Sequence, residues 1–381
     1  MLFITWDGPQ VNYLEGLFLP ILKGLQKQYE ISVIQFTWGD KGKSDATAEC
    51  LRKVGMPYKR VTVGPRRIVP LGILLTLVRG TFLLRSHLRR ADVVLFRSTY
   101  PCLMMLPWMG AHRRWVFDAD GLPLEEKVEF AGMNPRGLSF RWLKRAEGMA
   151  IRKSDRVLVR SMKATYALPS VDHYRVVGNG RDPLVYTMPD ERERRSRREQ
   201  LGLGQEELLL VYSGSLGAQY CLPEMLDILR KVQEQRAARL MILTGFPEYL
   251  QGTGLLDGLL VVNLAVEAVP RYLGAADVAL AIRNPSPSMQ AVAPVKLGEY
   301  LLCGLPVVAS AGIGDTEEIL RGQEACLLLP DHRPSTLGSA AGWVCRVAGK
   351  EDIRNSARKL GLEKFSLEKS ILSYRNALEG L

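Results

Sequence analysis

In its last third the chain reads Pro294-Val-Lys296-Leu-Gly-Glu299-Tyr300, a proline followed by a lysine and a glutamate three residues apart. Pro294 suits the first turn of a helix, Gly304 its C-terminal cap and Pro306 the entry to a following strand. A loop that ends on a helix amino end presents unpaired backbone N–H groups and a positive dipole end, which favour a phosphate or a sugar oxygen. Lys296 adds a positive charge in that first turn, and Glu299 shares its face. Taken alone, the pair reads first as an i,i+3 surface ion pair contributing about 0.2–0.5 kcal/mol.

Other segments place polar or small residues directly after apolar runs. Val211-Tyr-Ser-Gly-Ser-Leu-Gly217 is a glycine turn that lets backbone approach a diphosphate, with Gly214, Ser215 and Leu216 as candidate contacts. Asp7-Gly-Pro-Gln10 offers Gly8 for the same purpose, or is a plain βα turn. Asp118-Ala-Asp-Gly follows a strand, and Asp118 is a candidate for orienting an acceptor hydroxyl or for acid/base work.

These residues need a scaffold, and the hydrophobic pattern describes one. Short aliphatic runs alternate with amphipathic stretches, as in parallel strands joined by crossover helices. Strands are predicted near 2–5, 31–36, 93–96, 115–118, 156–159 and 174–177, and then near 208–212, 240–244, 259–263, 278–282, 307–310 and 325–329. Helices are predicted over 13–28, 71–89 and 138–152. The fold class is α/β, with two doubly wound domains. We expect a first domain over 1–182, a linker over 183–206, a second domain over 207–364 and a C-terminal helix over 365–381 that crosses back to the first. The charged run Asp190–Gln200 is either linker or exposed helix. Ligands of such sheets bind beyond the carboxyl ends of the strands, here in a central cleft between facing domains.

Composition narrows the function classes. At 381 residues, with 47% hydrophobic and 24% charged, the chain has the composition of a globular protein of about two domains. No uninterrupted apolar run reaches the ~18–20 residues of a membrane span; the longest lies around 69–78. Residues 1–6 read as a strand and not a signal peptide. Six dispersed cysteines and four histidines, without CxxC or paired histidine spacing, predict no metal cluster and a reducing cytoplasm. Residues 1–180 hold 28 Lys+Arg against 15 Asp+Glu, so the whole net charge of +11 sits in that half. Such asymmetry suits an anionic partner, or is only a solvated surface; without a nucleic-acid-binding signature, nucleic acid is not expected. The stretch 71–90, an apolar block with Arg79, Arg85, Arg89 and Arg90, could lie on an anionic membrane, or merely cover the sheet.

Residues Pro294, Lys296, Glu299, Tyr300, Leu301, Gly304, Pro306, Val307 and Val308 resemble the P-x-K-x-x-E-Y-L-x-x-G-x-P-V-V signature of retaining GT-B glycosyltransferases, the group 1 or family 4-like group. Val176–Asp182 and Asn263–Asp277 are similar to further segments of that group. The resemblance implies the GT-B fold of two Rossmann-like domains, and a nucleoside diphosphate sugar as donor. It implies that Glu299 binds the ribose hydroxyls, that Lys296 assists the leaving diphosphate, and that Val266 lies near the base. The donor sugar falls to Ser288, Met289, Gln290 and Ala291. Many relatives carry a second glutamate where Ala291 stands, so either backbone N–H groups around 288–291 substitute or the donor differs; many carry Arg and Lys where Ser215, Gln219 and Tyr220 stand, so the candidates for phosphate neutralisation are Lys296 and the helix terminus. Relatives often place a histidine near Asp118.

Asp118-Ala-Asp120 also matches the D-x-D of manganese-dependent transferases of another architecture, but no metal requirement is expected. The reading is therefore transfer of a sugar to a carbohydrate or lipid-linked acceptor hydroxyl with retention, in polysaccharide or glycolipid synthesis, in the cytoplasm or on the inner face of the membrane. The alternatives are a nucleotide-sugar epimerase of the same shape and a non-catalytic scaffold.

Overall fold

The computed structural model describes residues 1–8, 13–38, 41–64, 69–110, 113–245, 247–250 and 258–381. Its contacts divide the chain into two units. The first comprises Met1–Gly178 with Ser370–Leu381, and the second Asn179–Lys369.

In the first unit β1 (Leu2–Asp7), α1 (Leu19–Leu25), β2 (Ser32–Thr37), α2 (Lys41–Lys53), β3 (Tyr58–Thr62), α3 (Val69–Leu88), β4 (Val93–Arg97), α4 (Thr99–Met105), β5 (Arg114–Asp118), α5 (Pro123–Phe130), α6 (Leu138–Lys153), β6 (Arg156–Val159) and β7 (Tyr174–Val176) follow in turn. The strands form one sheet in the order β3-β2-β1-β4-β5-β6-β7, and all these pairs are parallel. Helices cover both faces of such a sheet, which is why β1 and β4 are buried along their whole length. The strand β3 was not legible in the sequence. As a sheet edge it reads YKRVT, with polar residues that blunt the edge and no apolar run. The expected helix over 13–28 is a π turn, Leu14–Phe18, running into α1.

The helix α3 departs from the sequence reading. Arg79 and Gly80 interrupt the apolar run, yet the helix is 20 residues long and apolar enough to cross a membrane by length and composition, with 22% of its most apolar window buried. Its inward face is made of small residues, Gly72, Thr76 and Gly80, followed by Leu84 and Leu88. A Cβ at Gly80 would lie 2.5 Å from the Met104 sulfur and 2.8 Å from the Phe36 ring, so only glycine allows this approach. The large apolar side chains Leu71, Leu74, Leu75, Val78 and Phe82 face outward and are exposed.

In the second unit come α7 (Glu191–Gln200), β8 (Leu208–Ser213), α8 (Leu222–Gln233), β9 (Ala238–Leu243), β10 (Leu259–Val262), α9 (Val269–Ala275), β11 (Val278–Ala281), α10 (Val295–Leu302), β12 (Val307–Ser310), α11 (Thr316–Leu320), β13 (Cys326–Leu329), α12 (Pro334–Val347), α13 (Glu351–Phe365) and the start of α14 (Leu367–Leu378). The sheet order is β10-β9-β8-β11-β12-β13, parallel throughout. Two apolar clusters line its faces.

The charged run 190–200 is a helix that belongs to the second unit. Asp190 caps it by accepting the Glu193 N–H at 2.7 Å. Its inner side is polar: Arg194 and Arg198 both pair with Asp277, which also accepts the Leu209 N–H at 2.8 Å. A helix anchored by charges shows no apolar stripe, which left it open between linker and helix in the sequence. Residues 370–381 pack with the first unit. Arg375 donates to the Gly24 carbonyl at 2.8 Å, and Arg160 to the Tyr374 hydroxyl at 3.0 Å.

Candidate functional site

The strand order of the second unit reverses between β8 and β11, and ligands of doubly wound sheets bind where the order reverses. The turn after β8 opens there. Gly214 and Gly217 adopt φ of 156° and 157°, values that favour glycine, and a Cβ at either would lie 3.1 Å from a side-chain oxygen, of Tyr212 and of Gln219 respectively. Two tyrosines hold the turn. The Tyr212 hydroxyl donates to the Ser215 carbonyl. The Tyr300 hydroxyl accepts the Ser213 N–H at 2.7 Å and donates to the Ser213 carbonyl at 3.2 Å. Tyr300 is wholly buried, and it is the tyrosine of the Lys296–Glu299–Tyr300 segment. That segment and the glycine turn, 87 residues apart in sequence, are therefore one structure.

The helix α10 starts where the sequence placed it, with Pro294 as N-cap, and ends on Gly304 at φ 69°. The first-turn N–H groups of Val295 and Lys296 have no preceding turn of helix to bond. Lys296 and Glu299 form the anticipated i,i+3 pair at 2.9 Å, but it is not an ordinary surface pair. Glu299 is 1% exposed, and its other oxygen meets Arg181 at 3.0 Å. Tyr186 adds a hydrogen bond to the same carboxylate. Burial by itself would raise the Glu299 carboxyl; Lys296 and Arg181 outweigh it and hold the group below the usual glutamate range. The Lys296 side chain keeps a third of its surface exposed and three N–H donors, of which Glu299 uses one.

Arg181 was quoted in the sequence only as part of Val176–Asp182. Its arginine type beside a turn carried no signal of a partner 118 residues away.

Ser288–Ala291 form a 3₁₀ turn in which Ser288, Met289 and Ala291 are buried and Gln290 is exposed. The Met289 and Gln290 N–H groups bond the carbonyls of Ser286 and Pro287. These two amides are therefore occupied within the turn. Ser215 is exposed on the glycine turn, whereas the Leu216 side chain is buried in the core cluster and only its backbone can face a ligand. Val266 is exposed at the start of the short turn Val266–Ala268 before α9.

In the first unit the order reverses between β1 and β4, and a buried ion network fills the strand ends there. Arg97 meets Asp7 at 3.0 Å and Asp120 at 2.5 Å, and Arg160 meets Asp118 at 2.6 Å. Asp118 is wholly buried, and its second oxygen accepts the Asp120 N–H at 3.1 Å. Burial raises its carboxyl despite Arg160. With both oxygens bonded and no exposed surface, Asp118 holds the network and does not present itself to an acceptor. Asp120 is the member that reaches the surface, at φ 55°, a strained value for a non-glycine residue. Gly8 ends β1 with the Trp38 ring 3.4 Å from where its Cβ would lie. Pro9 and Gln10 lie outside the described residues.

Histidine and cysteine spacing gave no ligand set in the sequence. The fold nonetheless brings Cys221, Glu224 and His332 together, their ligand atoms within 4.8 Å of one another. The residues are far apart along the chain except for the first two, so the sequence held no sign of them as a group. Burial pushes the Cys221 thiol up to about 12.

Residues 207–346 match the family model described as glycosyl transferases group 1. The matched stretch contains both the glycine turn and α10. The D-inositol 3-phosphate glycosyltransferase of Jonesia denitrificans is 30% identical in a 203-residue alignment that covers 48% of this chain and 45% of that relative, so the match spans less than half of the relative's length. Over the whole chain the fold is similar to HepE of Anabaena, solved in complex with UDP-glucose, with a TM-score of 0.73, 18% identity and 100% of each chain covered. It is also similar to WaaG, described as a glycosyltransferase involved in lipopolysaccharide biosynthesis, with a TM-score of 0.70, 14% identity and 100% of each chain covered. The architecture is that of the GT-B glycosyltransferases, two parallel α/β sheets with interleaved helices.

Proposed function

We propose that this protein transfers a sugar from a nucleoside diphosphate sugar to an acceptor hydroxyl, with retention of configuration and without a metal. The observation that supports the donor half is the grip of Tyr300 on Ser213, which puts the glycine turn and the α10 segment at one switch point. A leaving diphosphate gains negative charge as the glycosidic bond breaks. Fixed donors aimed at that charge stabilise the transition state more than the ground state. The first-turn amides of α10 and the free N–H groups of Lys296 are donors of that kind, and Glu299 with Arg181 fixes the lysine. The family resemblance gives Glu299 the ribose hydroxyls, and Val266 the base. Retention is likewise carried by resemblance, which assigns the step to the substrates and not to a protein nucleophile.

The acceptor is read as lipid-linked. Supporting this, the exposed apolar row Leu71, Leu75, Val78 and Phe82 on α3 continues into Arg85 and Arg89 along the same helical stripe. Such a face suits an anionic bilayer, with apolar side chains in the acyl boundary and arginines at the lipid phosphates. A second exposed set, Leu138, Trp142 and Met149 with Arg145, lies on α6, and α4 touches both helices.

Incubation of the protein with UDP-sugars and a membrane extract tests the transfer. Free UDP and a glycosylated lipid, with the donor's anomeric configuration in the product by NMR, is the expected outcome. An isomerised donor formed without acceptor would establish the epimerase instead. Pelleting with phosphatidylglycerol vesicles tests the membrane reading, and replacing Leu74, Val78 and Phe82 with glutamine should abolish it.

A further inference from the structure

We propose that Arg283 supplies the fixed positive charge for the donor diphosphate that the glycine turn of this chain lacks. The inference rests on the donor reading above and names the residue that completes its site. The turn itself offers only Ser215, Gln219 and Tyr220, all uncharged, where its relatives are expected to carry basic residues. A diphosphate held by backbone amides alone keeps most of its charge uncompensated, so a cation must come from a neighbouring element.

The parallel strand β11 is that neighbour. Its register against β8 pairs Val278 with Leu210 and Ala279 with Val211, so the chain leaving β11 starts beside the strand that leads into the glycine turn. Two backbone bonds fix it there. The Arg283 N–H donates to the Ser310 hydroxyl at 3.0 Å, and the Asn284 N–H to the Gln219 carbonyl at 3.0 Å. The second bond ties this segment directly to the end of the glycine turn. The guanidinium lies over the Tyr220 ring, 4.9 Å from its centroid, which restricts the side chain without neutralising it. Its remaining contact is the Met289 sulfur at 3.9 Å.

Arg181, the arginine that meets the α10 segment, is committed to a carboxylate, pairing with Glu299 at 3.0 Å. Among the described residues Arg283 has no carboxylate within ion-pair distance. A half-buried, ring-restrained and unpaired guanidinium at a switch point is organised for an anionic ligand, and its planar fork matches two phosphate oxygens. Its charge also reaches the walls of the turn, being felt at Tyr212 and Tyr300.

Calorimetric titration with UDP, GDP and uridine tests this on the unaltered chain and on Arg283→Gln and Arg283→Lys. Charge-assisted bonds of this kind predict a loss of about tenfold to a hundredfold in nucleoside diphosphate affinity for Arg283→Gln. Uridine affinity should stay within about twofold, and Arg283→Lys should recover part of the loss. A purely structural role would weaken uridine and UDP alike, and that result overturns the inference. So does unchanged UDP affinity in Arg283→Gln. If the unaltered chain binds neither diphosphate, the donor reading falls and this inference with it. Should Arg283→Gln fail to fold, the lysine variant decides: it keeps charge and ring contact, and should lower UDP affinity less than it alters the salt dependence.

Discussion

The Tyr300 hydroxyl bonds both the N–H and the carbonyl of Ser213, spending its acceptor and its donor on one residue. Tyr300→Phe keeps the ring and leaves two buried backbone groups unmet. We expect a loss of about 1–3 kcal/mol in denaturant unfolding and weaker UDP binding. Unaltered stability would show that the turn is held by Tyr212 alone.

Glu299 is buried between two cations. Glu299→Ala should therefore cost about 3 kcal/mol or more, because it leaves Lys296 and Arg181 without their shared counter-charge. Glu299→Gln should cost less, since an amide oxygen still accepts one of the two bonds. Urea titrations of the three proteins give the comparison.

The pH dependence follows from the same pair of contacts. The folded-state Glu299 carboxyl is held below its unfolded value, so its contribution to stability is full above the ordinary glutamate range near 4.3. It is lost as pH falls through the folded value. Stability of the unaltered protein minus that of Glu299→Gln should thus shrink between about pH 5 and pH 3. A constant difference across that window would mean that the carboxylate gains nothing from its partners.

Asp277 is shared by Arg194 and Arg198 of α7. In Asp277→Ala the helix loses both ion pairs and keeps its N-cap and the arginine bonds to the Ala275 and Ala276 carbonyls. Trypsin should then cut at the arginines of 191–200 at least tenfold faster, because cleavage follows the population of the opened helix. Mass spectrometry of the fragments reads the site.

Gly361 touches the backbone of α10. A Cβ there would lie 2.7 Å from the Leu301 carbonyl carbon and from the Leu302 nitrogen. Backbone cannot give way as a side-chain tip does, so Gly361→Ala should destabilise by about 1–3 kcal/mol and shift α10. Thermal unfolding and UDP titration check both effects.

Much of this was legible in the residues, for identifiable reasons. Strands buried on both faces write themselves as aliphatic runs, and Pro294 and Gly304 bracket α10 through conformational preferences that neighbours do not override. The edge strand β3, the polar α2 and the charge-anchored α7 lack such runs. Local pattern cannot distinguish a polar face that solvent covers from one that Asp277 covers. The site was legible as segments and not as an assembly. Lys296 and Glu299 were recognisable together because three residues separate them. Arg181 and Arg283 were not, since nothing in a linear sequence says that they meet Glu299 and the glycine turn. Asp118 illustrates the reverse case: a carboxylate after a strand looked available, and Arg160 had already taken it.

The first unit is built from both ends of the chain, residues 1–178 and 370–381, whereas the second is one continuous stretch. Ile371 occupies the space beside Gly24, and Tyr374 receives the Arg160 bond under the first sheet. During synthesis the second unit can therefore close as soon as its own residues clear the ribosome, while the earlier-made half waits for the final helix. Until then the groove at Gly24 that Ile371 fills is open to water, so the nascent N-terminal half is the stage at which chaperones would have most to hold.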